Sequence, residues 1–270
     1  MKDVNQMNNK IAIVTGGNSG IGKCTALSLL KAGCTVYDFS RRELPANGIK
    51  FVKTDVTDEK NVLALVKYVI EKEGHIDILI NCAGFGISGA VEFTTLEAAK
   101  SQFDVNFFGT VNMNKAVIPY MRKSNGGRIV NISSVAAVAH IPFQTYYSAS
   151  KAAIESYTCA LANEVKAFGI SVTAIEPGDI CTEFTQARQK SFDGDDVYSG
   201  KISRSVAGME KDEQKGMKPE SAGDYIAKIA LKKNVKPVYA IGATYKVLSV
   251  LCKTFPCGFR NKVVGMLYAR

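Results

Sequence analysis

Short apolar runs alternate with longer segments of helical spacing through most of the chain. The runs are five to seven residues long, are rich in β-branched residues and lie at residues 11–15, 34–40, 50–54, 76–81, 128–133, 171–177 and 237–241. Such runs are typical of a parallel sheet buried on both faces, because the segments between them are long enough to be crossover helices. The pattern predicts an α/β fold with a doubly wound parallel sheet of about seven strands and helices on both faces.

The segments between the strands predict four helices and one long connection. Helical spacing occurs at residues 20–32, 58–73, 95–123 and 147–168. Asp58 is the expected N-cap of its helix, and glycines stand where three helices should end, at Gly33, Gly74 and Gly169. Residues 183–216 are polar and weakly periodic, and they exceed an ordinary connection in length, so we predict a lid over a substrate site.

The chain is predicted to form one domain over residues 1–242, with a basic amphipathic appendage at 243–270. From Tyr245 to Phe255 the polar side chains form one narrow stripe on an otherwise apolar helix, and a second basic and apolar segment follows Pro256. Neither segment reaches the roughly 18 apolar residues of a bilayer span. Two interpretations stay open. The appendage packs on the core or on a second subunit over the substrate cleft, or residues 245–270 make a peripheral contact with an anionic membrane.

Composition and charge exclude several classes of protein. A hydrophobic content of 46% and a charged content of 22% are ordinary for a soluble globular chain. Residues 225–270 hold nine of the 34 Lys and Arg and no acidic residue, so the other 25 match the 25 Asp and Glu, and no nucleic-acid partner is expected. The seven cysteines form no CxxC pair and there are two histidines, so no metal site is predicted. The polar N-terminus has no apolar signal region, which favours a cytoplasmic location.

A glycine-rich turn, TGGNSGIG at residues 15–22, follows the first strand and leads into a predicted helix. Glycines let a backbone approach a pyrophosphate closely, and a helix N-terminus offers free N–H groups and a favourable dipole. A tight turn without a ligand is the alternative interpretation. The turn predicts a dinucleotide site that includes Gly16, Asn18, Ser19, Gly20, Ile21 and Gly22.

The spacing TGxxxGxG resembles that of the short-chain dehydrogenase/reductase family, and three further motifs carry the resemblance. Residues 81–84 (NCAG) resemble the family's NNAG, Asp55-Val56 resembles its adenine-contacting pair, and residues 177–182 resemble the PGxxxT segment around the nicotinamide carboxamide. The resemblance extends to about residue 242. It implies a Rossmann-like fold, a nicotinamide dinucleotide and a homodimer or homotetramer. It adds to the expected cofactor site Asp55, Val56, Asn81, Ala83, Gly84, Pro177, Gly178, Ile180 and Thr182.

The end of the second strand indicates which dinucleotide is bound. An acid there holds the ribose 2′-hydroxyl of NAD, whereas the 2′-phosphate of NADP needs cations. Ser40 occupies that position and is followed by Arg41 and Arg42, which favours NADP(H) over NAD(H). Asp38 lies two residues earlier on the same strand face, and a shift in alignment would bring its carboxylate to the ribose.

Tyr147 and Lys151 are expected one turn apart on the same helix face. An ammonium beside a phenol lowers the phenol pKa from about 10, and a phenol can then exchange a proton as hydride moves to or from a carbon. The pair matches the family's YxxxK. Tyr146 has Ser150 rather than a cation at the corresponding spacing, so it is not the expected proton donor.

Two more residues complete the expected site. The family's catalytic serine precedes its tyrosine by about thirteen positions, which selects Ser134 over Ser133. Ser134 would hold the substrate oxygen and stabilise developing negative charge. Asn106 matches the family's fourth catalytic residue, and we expect a helical kink there whose carbonyl binds a water linked to Lys151.

The sequence thus predicts an NADP(H)-dependent oxidoreductase that transfers a hydride between the nicotinamide and a carbonyl or secondary alcohol. Apolar residues near the expected site favour a hydrophobic substrate, such as a steroid-like, acyl-chain or aromatic ketone. Those residues are Phe85, Ile87, Val135, Ile141, Phe143 and Phe184. The alternative function is a regulatory protein that senses NADP(H) without catalysis.

Overall fold

The seven predicted strands form one parallel sheet in a computed structural model that describes residues 10–43 and 48–268. The strands, with two short additions, are β1 (Ile11–Thr15), β2 (Thr35–Ser40), β3 (Ile49–Lys53), β4 (Ile78–Asn81), β5 (Ile87–Ser88), β6 (Gly127–Ile132), β7 (Ile170–Pro177), β8 (Gln189–Lys190) and β9 (Val238–Ile241). The sheet order is β3-β2-β1-β4-β6-β7-β9, and β5 pairs with β8. The order reverses between β1 and β4, which opens a crevice at the carboxyl ends of these strands.

Helices cover both faces of this sheet, as predicted. They are α1 (Gly20–Lys31), α2 (Glu59–Glu73), α3 (Leu96–Phe103), α4 (Gly109–Lys123), α5 (Ala136–Ala139), α6 (Thr145–Val165), α7 (Phe184–Ala187), α8 (Lys201–Gln214), α9 (Pro219–Ala230), α10 (Ala243–Thr254) and α11 (Cys257–Tyr268). Asp58 caps α2 by accepting from the Asn61 N–H at 3.0 Å, and Gly74 ends that helix in the left-handed conformation.

Alternate residues of the central strands face opposite cores, which is why the strands are apolar throughout. Ile13, Leu79 and Ile129 pack with α2, α4 and α6 on one face. Val14, Ile80 and Val130 pack with α1 and α9 on the other. The doubly wound prediction is therefore confirmed.

The predicted long helix at 95–123 is continuous but contains a π-helical turn at Asp104–Phe108, between α3 and α4. A π turn adds a residue to the helix and changes the direction of the side chains that follow. Asn106 lies inside this turn, where we expected a kink.

The predicted lid at 183–216 contains more regular structure than its weak periodicity indicated. It holds α7, β8 and the helix α8, which the sequence did not predict. Three apolar side chains of α8 are buried, Ile202, Val206 and Met209, and their i, i+4, i+7 spacing is the signal that could have revealed the helix.

The appendage forms α10 and α11, and both helices pack on the core. Cys252 and Val264 are buried against Val135, Val138 and Ala139, at and next to α5. This position matches the interpretation in which the appendage covers the substrate cleft. Within the described ranges, none of the helices is long and apolar enough to cross a bilayer.

Candidate active site

A cavity of about 1090 Å³ lies at the carboxyl ends of the central strands. One end is formed by the glycine-rich turn and the residues that follow β2. The other end lies between α6, the segment 177–184 and the C-terminal helices. The cavity thus joins the predicted dinucleotide site to the predicted catalytic residues.

The glycine-rich turn has the shape that a dinucleotide phosphate needs. Gly16 adopts a φ of +64°, and a Cβ at Gly22 would collide with the Gly16 carbonyl oxygen. Ser19 is the N-cap of α1 but makes no side-chain capping bond, and the first turn holds no acidic residue. The backbone and helix N-terminus are therefore open to an anion, which fits a pyrophosphate.

Thr15 connects this turn to the next strand, a role that the sequence did not indicate. Its buried hydroxyl accepts from the backbone N–H groups of Cys82 and Ala83 at 3.1 and 3.0 Å. The contact holds the carboxyl ends of β1 and β4 together where the crevice opens.

Ser40, Arg41 and Arg42, the residues expected at a 2′-phosphate, all line the cavity near the glycine-rich turn. Asp38, whose carboxylate a shift in alignment would have brought to the ribose, does not line the cavity. Its carboxylate is buried beneath the glycine-rich turn, where the Gly17 N–H and the Ser40 hydroxyl donate to it. Burial raises the pKa of Asp38, while those two hydrogen bonds lower it. The end of β2 therefore presents Ser40, Arg41 and Arg42 at the cavity wall, and not Asp38.

Most of the other expected cofactor residues lie on the cavity wall, among them Asp55, Val56, Ala83, Gly84, Pro177, Gly178, Ile180 and Thr182. Asp55 Oδ1 accepts from the backbone N–H and the hydroxyl of Thr57 at 2.9 and 2.7 Å, which lowers the pKa of Asp55. A charged acceptor is thus held at the position where the sequence predicts contact with the adenine.

Asn81 lies beneath the cavity rather than on its wall. Its buried amide donates to the side-chain oxygens of Asn114 and Asn131, both at 2.8 Å. Asn131 in turn donates to Thr158 on α6 at 2.9 Å. The structure therefore places Asn81 in a polar network that joins β4, β6, α4 and α6.

Tyr147, Ser134 and Lys151 converge at the inner end of the cavity. Ser134 forms a side-chain hydrogen bond with Tyr147. The Lys151 Nζ lies 5.7 Å from the centre of the Tyr147 ring and donates to the Ile132 carbonyl oxygen at 2.8 Å. Ser133 instead donates to the Lys151 carbonyl oxygen at 2.9 Å, which anchors α6 to the end of β6. The structure therefore places Ser134, the expected catalytic serine, beside Tyr147, and Ser133 beside the backbone of Lys151.

The ionisation of this pair differs from the expectation drawn from the sequence. Burial raises the pKa of Tyr147 to about 12, and the hydrogen bond from Ser134 only partly offsets it. Burial also lowers the pKa of Lys151 to about 8. The ammonium does not bring the tyrosine pKa down, because desolvation outweighs attraction at this depth. The tyrosine is held protonated, which suits a proton donor.

Asn106 is fully buried behind Gly84 and holds the loop that follows β4. Its side chain accepts from the Phe85 N–H at 2.9 Å and donates to the Phe85 carbonyl oxygen at 3.0 Å. Its own carbonyl accepts from the Thr110 hydroxyl at 2.9 Å. The π turn thus directs Asn106 to clamp a loop at the cavity floor.

The C-terminal appendage forms one wall of the substrate end of the cavity, a position that the sequence left open. Apolar side chains of α10, α11 and the turn between them form that wall, including Leu248, Leu251, Phe255, Phe259 and Val264. Opposite it, the Phe184 ring lies 5.7 Å from that of Tyr147. An extended apolar surface therefore leads from Tyr147 to the outside.

Two polar pairs near this end were also not predicted. Arg188 pairs with Glu213 on α8, and Tyr245 on α10 donates to Asp179 in the segment after β7. The first pair joins two parts of the predicted lid, and the second fastens the appendage to the segment after β7. Among residues 10–43 and 48–268, no three His, Cys, Asp or Glu side chains come together as they would around a metal ion.

Comparison with known proteins agrees with this geometry. The family model of short chain dehydrogenases matches residues 10–192. The chain belongs to the short-chain dehydrogenase/reductase family. It is therefore an oxidoreductase of the kind that acts on CH–OH groups with a nicotinamide dinucleotide.

Relatives of this short-chain dehydrogenase/reductase match along nearly its whole length. A 3-ketodihydrosphingosine reductase of Bacteroides thetaiotaomicron is 42% identical over 267 residues, which cover 97% of this chain and 99% of the relative. A probable short-chain type dehydrogenase/reductase of Helicobacter pylori is 32% identical, with 95% and 97% covered. The structure of a short-chain dehydrogenase from Streptomyces avermitilis superposes with a TM-score of 0.82 at 27% identity, with 96% and 94% covered.

Proposed function

We propose that this enzyme uses NADPH to reduce the ketone of a long-chain lipid precursor, with Tyr147 as the proton donor. The observation that carries the proposal is the position of Tyr147, Ser134 and Lys151 at the inner end of a cavity with an apolar wall. Such a wall suits an alkyl chain, while the polar group at its inner end suits a carbonyl.

Ser134, Tyr147 and Lys151 have different roles in the proposed reduction. A bound nicotinamide supplies the hydride. The hydroxyl of Ser134 donates to the carbonyl oxygen and favours the charge that develops on it. The protonated Tyr147 then gives its proton to that oxygen, since a phenol pKa of about 12 lies below the pKa of the alcohol that is formed. Lys151 provides positive charge beside the tyrosine as the phenolate forms.

The preference for NADPH over NADH rests on the end of β2. A 2′-phosphate carries more negative charge than a hydroxyl and pairs well with guanidinium groups. Arg41 and Arg42 are exposed at the cavity wall, and the carboxylate of Asp38 is engaged beneath the glycine-rich turn. These positions supply cations at the ribose and keep the nearest strand carboxylate away from it.

Two observations favour the lipid among the hydrophobic ketones. The relative of Bacteroides thetaiotaomicron is a 3-ketodihydrosphingosine reductase. The compound 3-ketodihydrosphingosine combines a long alkyl chain with an amino group next to the ketone. The carboxylates of Asp179 and Asp212 line the cavity, and negative charge there suits an amine.

A ketone panel tests the proposed substrate class. NADPH oxidation would be followed with 3-ketodihydrosphingosine, its shorter-chain homologues, a chain-matched ketone without the amine, and a steroid ketone. Each methylene that the apolar wall buries is worth about 0.8 kcal/mol, so we expect kcat/KM to rise roughly threefold to fourfold per methylene. The same rate for short and long chains, or a preference for the steroid, would overturn the proposal.

Assembly and location stay predictions. A homodimer or homotetramer is expected from the family, and light scattering of the purified enzyme tests it. A cytoplasmic location is expected from the sequence, and cell fractionation tests it.

A further inference from the structure

The two C-terminal helices expose an unusual amount of apolar surface. Seven of the sixteen exposed large apolar side chains among the described residues lie between positions 247 and 267. We call these seven the apolar rim: Val247, Val250, Leu251, Phe255, Phe259, Met266 and Leu267. Exposed apolar patches of this kind mark sites of interaction.

The apolar rim is one continuous surface. Val247, Val250 and Leu251 lie on one face of α10, at i, i+3 and i+4. The rings of Phe255 and Phe259 lie 5.1 Å apart and join α10 to α11 across the turn between the helices. Both helices therefore contribute to the same patch.

The apolar rim is also continuous with the substrate cavity. Leu251, Phe255, Phe259 and Leu267 line the cavity and are nevertheless 43–61% exposed. The same side chains thus form the inner wall and the outer edge of the opening. The apolar lining therefore extends from the outer surface into the cavity that Tyr147 also lines.

The charge around the apolar rim favours a lipid bilayer over a second copy of this chain as the partner of the rim. Residues 243–268 contain Lys246, Lys253, Arg260 and Lys262 and no acidic residue. Lys253 is paired with Glu176, whereas Lys246 and Lys262 are exposed. A second copy related by a two-fold axis would bring the same positive patch against itself. An anionic bilayer presents both the apolar interior and the opposite charge.

We propose that the apolar rim docks on the surface of an anionic lipid bilayer, so that the cavity opens directly to the acyl region. Phe255 and Phe259 enter the bilayer at the turn between α10 and α11, and Lys246 and Lys262 lie at the level of the headgroups. The docking proposal adds a lipid surface to the proposed function, and its test does not require turnover.

The absence of tryptophan from the chain makes a direct test possible. Phe259→Trp and Val250→Trp each place a single tryptophan on the apolar rim. Phe168→Trp is the matched control, because Phe168 is 40% exposed and lies just before the amino end of β7, whereas α10 begins after the carboxyl end of the neighbouring strand β9. Each full-length variant would be mixed with vesicles of zwitterionic lipid alone or with about one-third anionic lipid.

We expect blue-shifted emission, and quenching by brominated lipid, for both rim variants with anionic vesicles and for neither with buffer alone. The Phe168→Trp control should show no shift. Adding Lys246→Glu and Lys262→Glu should weaken vesicle binding roughly tenfold or more.

Three results would overturn docking on a bilayer. One is unshifted emission of both rim variants with vesicles. Another is an equal shift in the Phe168→Trp control. The third is a blue shift without vesicles that grows with protein concentration and accompanies a dimer in sedimentation, since a second copy would then cover the apolar rim. Inactivity on long-chain ketones would count against the proposed function and would leave these readouts unchanged.

Discussion

Lys253 on α10 donates to the buried carboxylate of Glu176 at the end of β7, with 2.7 Å between Nζ and Oε1. Ser249, one turn earlier on α10, donates to the other oxygen of Glu176 at 2.6 Å. Glu155 on the catalytic helix α6 lies 3.1 Å from the same ammonium. The helix that walls the substrate cleft is therefore fastened to two elements of the active site.

Replacing Lys253 with methionine should loosen that wall. The change leaves the Glu176 side chain, which is 0% exposed, without its cation. Loss of one partner of a fully buried pair costs about 3–5 kcal/mol, and we expect about 1–3 kcal/mol here because Lys253 is partly exposed. Urea unfolding should show this loss, and KM for a long-chain ketone should rise more than the Kd for NADPH. Lys246→Met on the same helix is the control, and equal effects of the two changes would contradict the fastening role.

Glu155→Gln should stabilise the protein at alkaline pH. Burial, together with the neighbouring Glu176, raises the pKa of Glu155. A raised carboxyl pKa means that the folded state favours the protonated form, so its contribution is present at low pH and is lost as pH rises through the folded pKa. The amide imitates the protonated form. Thermal unfolding between about pH 5 and pH 9 should show the variant gaining about 2–4 °C on the wild type at the upper end. Glu164→Gln, at an exposed site on α6, should show no such trend.

Removing the arginines after β2 should change the cofactor preference. Arg41→Ser combined with Arg42→Ser takes away the cations expected at the 2′-phosphate. Hydrogen bonds to charged groups are worth about 1.5–3 kcal/mol each, so kcat/KM with NADPH should fall about 10- to 100-fold or more. With NADH it should change by less than about threefold. A parallel loss with both dinucleotides would show that these arginines do not select between them.

The rate of ketone reduction should fall on the alkaline side of neutrality. Burial lowers the pKa of Lys151 to about 8, so its ammonium is lost as pH rises through that value. Burial raises the pKa of Tyr147 to about 12, so the proton donor stays in place over the same range. A plot of kcat/KM against pH should therefore be flat at acidic pH and should fall above about pH 8 with the slope that the loss of one proton gives. A rate that increases from pH 7 to pH 9 would indicate that the phenolate is needed.

Local pattern was sufficient for the fold, and it predicted site residues that the structure brings together in one cavity. Apolar runs bounded by glycines and polar turns fixed the seven strands, because a sheet covered on both faces leaves no room for polar alternation. Spacing placed Lys151 one turn after Tyr147, and the structure brings Ser134 to the same point. These relations depend on neighbours in the chain or on the order of strands.

Contacts between segments that are distant in the chain could not be predicted from the sequence. Asn81 belongs to a cofactor motif, yet its amide is engaged by Asn114 and Asn131 below the cavity. The pKa of Tyr147 depends on burial, which helix spacing does not report. The partner of Lys253 is 77 residues away, so the polar stripe on this helix did not decide between packing over the cleft and contact with a membrane.

Single-turnover reduction by Tyr147→Phe tests the central claim most directly, with NADPH binding measured on the same sample. Loss of a general acid costs about 10²- to 10⁴-fold in rate. We expect such a loss with the long-chain ketone while the Kd for NADPH stays within about threefold of the wild type. Turnover by Tyr147→Phe at the wild-type rate would show that another group protonates the substrate and would contradict the account.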